Sequence, residues 1–219
     1  MDDSPAVGSP TVGSGAPPAV EPGTPRSWKP PKSRIAHAEE AAALTCIRHG
    51  RHTDALQLLM SAYGAPIAAF ALRVLRDPEL AKDVRQQVFL DAFQGITRFE
   101  GRSSLWSWLC GIAYHRCLDE LKRTRRAGPV DPVDVLDVLA AQPDAAAGED
   151  RVAQRRALEA CLAKLSNSAR AELLMRCFLG LSYVEISELV GATHGTLQVR
   201  MSRILPRLRR CLRGQGVAR

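Results

Sequence analysis

The stretch Leu181 to Leu212, LSYVEISELVGATHGTLQVRMSRILPRLRRCL, leaves little freedom in how it can fold. Ser182 followed by Glu185 has the spacing of a capping box, so a helix is expected to begin there and to run through Ile186, Leu189 and Val190 to a stop at Gly191. Thr193 offers a second N-cap, and Leu197, Met201, Ile204, Leu205 and Leu208 recur at three- and four-residue steps. At about 100 degrees per residue this apolar stripe centres on Met201 and Leu208, while Val199, Arg203, Arg207 and Arg210 point away. From Thr193 to Arg219 the chain carries Arg200, Arg203, Arg207, Arg209, Arg210, Arg213 and Arg219 and no Asp or Glu, a face suited to phosphate. A solvated terminal helix would show the same charge. A capped helix, a glycine turn and a capped basic helix in succession match the helix-turn-helix geometry that sets the second helix in a major groove. Pro206 is expected to remove the bond to the Ser202 carbonyl and to kink or shorten that helix.

The remaining chain sorts by texture. Met1 to about Ser33 holds eight of the 14 prolines and almost no large apolar side chains, so residues 1–34 read as a disordered tail. Residues 127–150 carry Asp131, Asp134, Asp137, Asp144, Glu149 and Asp150 with no Lys or Arg, which reads as an acidic flexible linker. Helix-forming runs fill 35–126 and 151–213, and 214–219 is a short basic tail. With no strand pattern, the expected fold class is all-α, two small helical domains joined by a tether.

Composition narrows the function. A formal net charge of +7 and a pI near 9.4 favour an acidic partner, nucleic acid first. Six cysteines lie without CxxC or Cys/His metal spacing, so reduced thiols on apolar faces are expected, with no zinc site, disulfide framework or cofactor. No apolar run approaches the roughly 20 residues of a bilayer span, and the N-terminus lacks a charged region followed by an apolar core, so a cytoplasmic protein without membrane insertion is expected. An enzyme finds no support: His37, His49, His52, His115 and His194 have no paired nucleophile, and Glu39 with Glu40 reads as a helix surface.

Within 35–126 a first helix runs from Ile35 to about Arg48, a second after Thr53 carries Leu56, Leu59 and Met60, and a third starts at Pro66. Asp77 and Pro78 supply an N-cap and an N1 proline to the next, where Val84, Val88, Ala92 and Phe93 form one stripe and Asp83, Gln86, Gln87 and Asp91 another. After the loop TRFEGRSS comes LWSWLCGIAYHRCLDELKRTRR, with Leu105, Trp108, Leu109, Ile112 and Ala113 as its buried stripe and a basic far end. Phe99, Trp106, Tyr114 and His115 lie beside those cations, a mixture that serves the phosphates and exposed bases of an unpaired strand. Taken alone, Trp106 and Trp108 are both expected to be core anchors rather than base platforms.

These blocks resemble the sigma-70 family, especially its small extracytoplasmic-function group. LSYVEISELVGATHGTLQVRMSRILPRLRR is similar to region 4, whose second helix reads the minus-thirty-five promoter element; the carry-over implicates His194, Gln198, Val199, Arg200, Ser202, Arg203 and Arg207. Gln198 and Val199 replace a basic and a small polar residue, and Val199 offers only apolar contact, as to a thymine methyl. AKDVRQQVFLDAF resembles region 2.2, which docks on the clamp helices of the RNA polymerase beta-prime subunit, and implicates Asp83, Gln86, Gln87, Phe89, Leu90 and Phe93. Lys82, Gln87 and Asp91 replace its usual acidic, acidic and basic residues.

The TRFEGRSS loop and the helix after it resemble regions 2.3 and 2.4, which capture a flipped base of the minus-ten element and hold the non-template strand. Arg98, Arg102, Ser103, Ser104, Trp106, His115, Arg116, Lys122 and Arg123 fall on those positions, and Asp119 is read as orienting a neighbouring arginine. His115 takes the place of the usual Asn, and Gly111 and Tyr114 sit where basic residues are common. The resemblance implies a promoter-recognition subunit without catalytic chemistry. Its implied partners are core RNA polymerase, through the clamp helices and the beta flap, promoter DNA and an anti-sigma factor. The alternative is a stand-alone helix-turn-helix regulator that binds its operator without polymerase.

Overall fold

The computed structural model describes residues 37–127 and 149–217, and these are helix and turn throughout. A first module comprises α1 (His37–Arg48), α2 (His52–Leu75), α3 (Pro78–Gly95), a short 3-10 turn (Ile96–Arg98) and α4 (Leu105–Ala127). A second comprises α5 (Glu149–Ala163), α6 (Asn167–Cys177), α7 (Tyr183–Val190) and α8 (His194–Gly214). The expected tail, and the expected linker apart from Ala127, Glu149 and Asp150, lie outside the described residues.

Local signals account for most helix ends. The Asp77 carboxylate accepts from the Leu80 amide at 2.9 Å, with Pro78 behind it at N1. Ser182 and Glu185 cap each other's backbone reciprocally, Gly191 closes α7 at φ 65°, and the Thr193 hydroxyl accepts from the Thr196 amide at 3.2 Å to open α8. Prolines are where local rules fail. The helices expected after Thr53 and at Pro66 are one continuous α2 with Pro66 inside it. A helix-interior proline costs about 3 kcal/mol. Tyr63, Ile67, Phe70 and Val74 are fully buried on one stripe across it, and each large apolar side chain contributes about 1.5–3 kcal/mol by burial. Packing wins. Pro206 likewise leaves α8 unshortened, exposed on the face opposite the buried Met201 and Ile204.

Helix α2 also has the length and hydropathy of a membrane span, which the reading of apolar runs did not anticipate, but 56% of that span is buried within the bundle. The Glu40 carboxylate accepts from the Leu105 amide at 2.7 Å and from the Tyr63 hydroxyl at 3.2 Å. It therefore caps α4 and is no plain surface residue. Trp106 is the deeper of the two tryptophan anchors: its ring lies 4.9 Å from that of Tyr63, and its indole N–H donates to the Leu179 carbonyl at 3.1 Å. Trp108, two residues on and so roughly 200 degrees around the helix, is half-buried against Phe99.

One apolar core runs through both modules. In the second, Cys161 of α5 and Cys211 of α8 are joined by a disulfide, against the expectation of reduced thiols. Fifty positions separate them in sequence, and they meet because α5 packs along α8. Closing a loop of that size restricts the unfolded chain by about 4 kcal/mol in the chain-entropy account. Cys161→Ala is expected to lose about 2–4 kcal/mol in denaturant titration under non-reducing conditions. The gap should largely close in dithiothreitol, and equal stability in both buffers would show that the bond contributes nothing.

Candidate nucleic-acid interface

In the second module Leu197, Met201 and Ile204 of α8 are buried, which turns the other face outward. His194, Val199, Arg200, Ser202, Arg203 and Arg207 are exposed there, with Gln198 half-buried. Val199 is 49% exposed, an apolar side chain in the middle of a polar and cationic face. His194 meets the Tyr183 ring edge-on at 5.7 Å, which fixes the start of α8 against α7. Arg200 differs from its neighbours because its Nη1 donates to Glu172 Oε1 at 2.6 Å, and Glu172 is only 2% exposed. Burial raises the Glu172 carboxyl pKa, with Arg200 opposing, so the guanidinium is engaged in holding α8 to α6.

In the first module Arg98 lies on the 3-10 turn, exposed, and Arg102 pairs with Glu100 at 3.2 Å in full solvent. Ser104 is the N-cap of α4, its hydroxyl accepting from the Ser107 amide at 3.0 Å; the Ser103 hydroxyl donates to the Ser104 carbonyl at 3.3 Å. His115 is exposed beside the Tyr114 ring. Lys122 donates to Asp119 at 3.0 Å, and Arg123 lies 2.5 Å from Glu120. Asp119 thus orients a lysine rather than an arginine.

Two carried-over residues of this module are engaged within the fold. Trp106 is buried, with its indole N–H on the Leu179 carbonyl. Arg116 forks onto Asp91 of α3, with Nε bonded to one oxygen and Nη2 at 2.7 Å from the other, and Gln87 Nε2 donates to the same carboxylate at 2.9 Å. Burial alone would raise the Asp91 pKa; the hydrogen bonds from Arg116 and Gln87 outweigh it and hold the carboxyl below its ordinary value.

Helices α2 and α3 frame an open groove of about 340 Å³. Phe89 is buried as its floor, and Met60, Leu90 and Phe93 are exposed along it at 49%, 50% and 42%. Gln86 also lines the groove, Asp83 is exposed on α3, and Gln87 turns instead toward Asp91. Leu56, Met60 and Gly64 on α2, at four-residue steps beside the buried stripe Ala55, Leu59 and Tyr63, complete the groove and were not among the predicted site residues. The signal for them is an apolar stripe wider than one buried face needs. Among the described residues no group of three or more His, Cys, Asp or Glu side chains could hold a metal ion.

Two helical modules, each with a cationic face, define a bipartite nucleic-acid-binding protein, and the first also carries an open apolar groove. Residues 59–127 match the family described as Sigma-70 region 2, and residues 155–208 match Sigma-70, region 4. The ECF RNA polymerase sigma factor SigK of Mycobacterium tuberculosis is 29% identical over 154 residues, 67% of this chain and 79% of SigK. The RNA polymerase sigma-H factor of Pseudomonas aeruginosa is 29% identical over 157 residues, 68% of this chain and 81% of that protein. In fold, the sigma factor RpoE from Bartonella quintana, solved with the anti-sigma factor NepR, has a TM-score of 0.61 at 21% identity, covering 72% of this chain and 96% of that one. CnrH, solved with the cytosolic domain of CnrY, has a TM-score of 0.57 at 18% identity, covering 80% and 97%. The chain belongs to the sigma-70 family of RNA polymerase sigma factors, in its extracytoplasmic-function group. It directs promoter recognition and transcription initiation by RNA polymerase.

The Asp91 pair carries a pH signature. A carboxyl whose pKa falls on folding stabilises the fold above its unfolded pKa, and that contribution is lost as pH drops through the lower, folded value. Asp91→Asn is therefore expected to be less stable than the parent at pH 7, with the difference shrinking as the medium is acidified below about pH 4. Thermal melts across that range check it; a difference that stays constant with pH would mean that the Asp91 charge is not involved.

Proposed function

We propose that the two modules divide the promoter between them. Region 4 spans residues 151–213 and reads the minus-thirty-five element through the outer face of α8. Region 2 spans 35–126, holds the opened minus-ten element with Arg98, Arg102, Ser103, Ser104, His115, Lys122 and Arg123, and docks the groove between α2 and α3 on the polymerase clamp helices. The exposed α8 face carries this reading. Arg203 and Arg207 stand in solvent on it with no acidic residue along the helix to compete for them, which suits phosphate contact. Val199 at their centre suits a thymine methyl.

The groove suits an apolar anchor with a polar rim, since Leu90 and Phe93 are more exposed than an uncovered soluble surface favours. Opening is driven by capture of unpaired bases, with no catalytic step of the chain's own, and the protein works in the cytoplasm, where its polymerase is. An anti-sigma factor as a further partner is supported by the two fold neighbours, both solved with partner chains.

Transcription in vitro with core polymerase on a genomic fragment library is expected to give defined start sites. Tight, specific duplex binding without core would favour the stand-alone regulator instead. Arg203→Ala should weaken binding to a minus-thirty-five duplex about tenfold and leave core affinity unchanged. Leu90→Asp with Phe93→Ser should weaken core binding by at least about tenfold and leave duplex binding alone. Equal loss of both activities in either variant would mean a structural role for that face.

A further inference from the structure

Helix α8 runs unbroken from His194 to Gly214 with Pro206 inside it. A proline has no amide proton, so the Ser202 carbonyl four residues earlier has lost its helical donor. No neighbour replaces that donor. In a continuous α-helix each amide serves the carbonyl four residues before its own, which commits Leu205 to Met201 and Arg207 to Arg203. The pyrrolidine ring also presses on the Ser202 carbonyl and tilts it off the helix axis. Ser202 and Pro206 are both exposed, so the tilt is toward solvent. Unlike Pro66, Pro206 buries little that would offset the bond it removes.

The Ser202 side chain has the same polarity as its carbonyl. Its hydroxyl donates to the Val199 carbonyl at 2.9 Å, which uses the single proton a serine hydroxyl has and leaves Oγ with lone pairs alone. Ser202 therefore offers the outside two acceptors and no donor. At about 100 degrees per residue, Val199, Pro206 and Arg210 fall within about 40 degrees of one another, opposite the buried Leu197, Met201 and Ile204. The freed carbonyl, which lies between Ser202 and Pro206, is thus at the centre of the outward face, next to two apolar side chains and the arginines.

We propose that Pro206 is a positioning residue for sequence specificity: it frees the Ser202 carbonyl to accept from the exocyclic amino group of a base, adenine N6 or cytosine N4, in the major groove. The inference rests on the assignment of α8 to the minus-thirty-five element. Adenine and cytosine present an amino donor at that groove edge, whereas guanine and thymine present acceptors. In the free protein water satisfies the exposed carbonyl. A base amino group can replace the water, but guanine O6 or thymine O4 would set acceptor against acceptor and leave both unsatisfied. Discrimination therefore comes largely from rejection of the wrong base.

The test uses the full chain in holoenzyme, selecting from a promoter library randomised across the upstream element. The wild type is expected to favour adenine or cytosine over guanine and thymine by about tenfold at one position, and the base recovered there tells which amino group is bound. Pro206→Ala returns an amide to the Ser202 carbonyl through a good helix former, so the variant should fold at least as well as the parent. It should flatten the preference at that position and leave the salt dependence of duplex binding as it was, because no charge has changed. Ser202→Ala removes Oγ and keeps the carbonyl, so the preference should weaken without vanishing.

A Pro206→Ala holoenzyme that discriminates as the wild type does would overturn the proposal. So would an equal loss of affinity for every sequence, which would make the proline structural, or a preference abolished by Ser202→Ala alone, which would give the reading to the hydroxyl. Arg203→Ala separates this inference from the assignment beneath it. Weaker upstream binding in Arg203→Ala with no change in Pro206→Ala would sink only the role of the proline; no effect of either variant on the upstream element would sink the assignment of α8 as well.

Discussion

Glu40 and Trp106 hold α4 from two directions, and the placement of that helix decides what every other functional side chain can do. The Glu40 carboxylate caps its first turn and ties it to Tyr63, while the Trp106 indole crosses to the Leu179 carbonyl. With both in place, the inward sides of α4 are spent on α3, α2 and the second module. What remains outside is His115 and the far end with Lys122 and Arg123. The strand-holding surface proposed for region 2 is what burial leaves over.

The cations then fall into two groups by the company they keep. Arg123 stands between the groups, 68% exposed itself but paired with a Glu120 that is only 17% exposed, while Lys122 with Asp119 and Arg102 with Glu100 are surface pairs. Exposed pairs of this kind contribute about 0–1 kcal/mol, so each can exchange its carboxylate for a phosphate at little cost. Arg116 and Arg200 cannot. Their carboxylates, Asp91 and Glu172, are 18% and 3% exposed, and withdrawing a guanidinium would strand a largely desolvated charge, a loss of about 3–5 kcal/mol for a fully buried pair. Resemblance to the family treats all these cations alike; the physics of their partners separates them.

Local chemistry was legible in the chain. The Ser182 and Glu185 box, the Thr193 and Asp77 caps, the Gly191 stop and the apolar stripe of α8 are set by residues within one or two turns of each other, and all stand where the spacing puts them. Long-range pairings were not legible. The Cys161–Cys211 bond, the Arg200–Glu172 pair and the reach of Glu40 to Leu105 join residues far apart in sequence, and no local period reports them. Both tryptophans were legible as core residues, but nearby rings on an amphipathic helix carry no sign of which one meets a second layer, so the depth of Trp106 was not. The proline in α2 was read as a break because propensity was weighed without the burial that overrides it.

Footprinting of a promoter by the holoenzyme tests the central claim most directly, with permanganate reporting unpaired thymines. The account predicts protection over both elements and reactive thymines only near minus ten, with both signals requiring core polymerase and this chain together. Protection of the same sequence by the chain alone, without thymine reactivity when core is added, would contradict it.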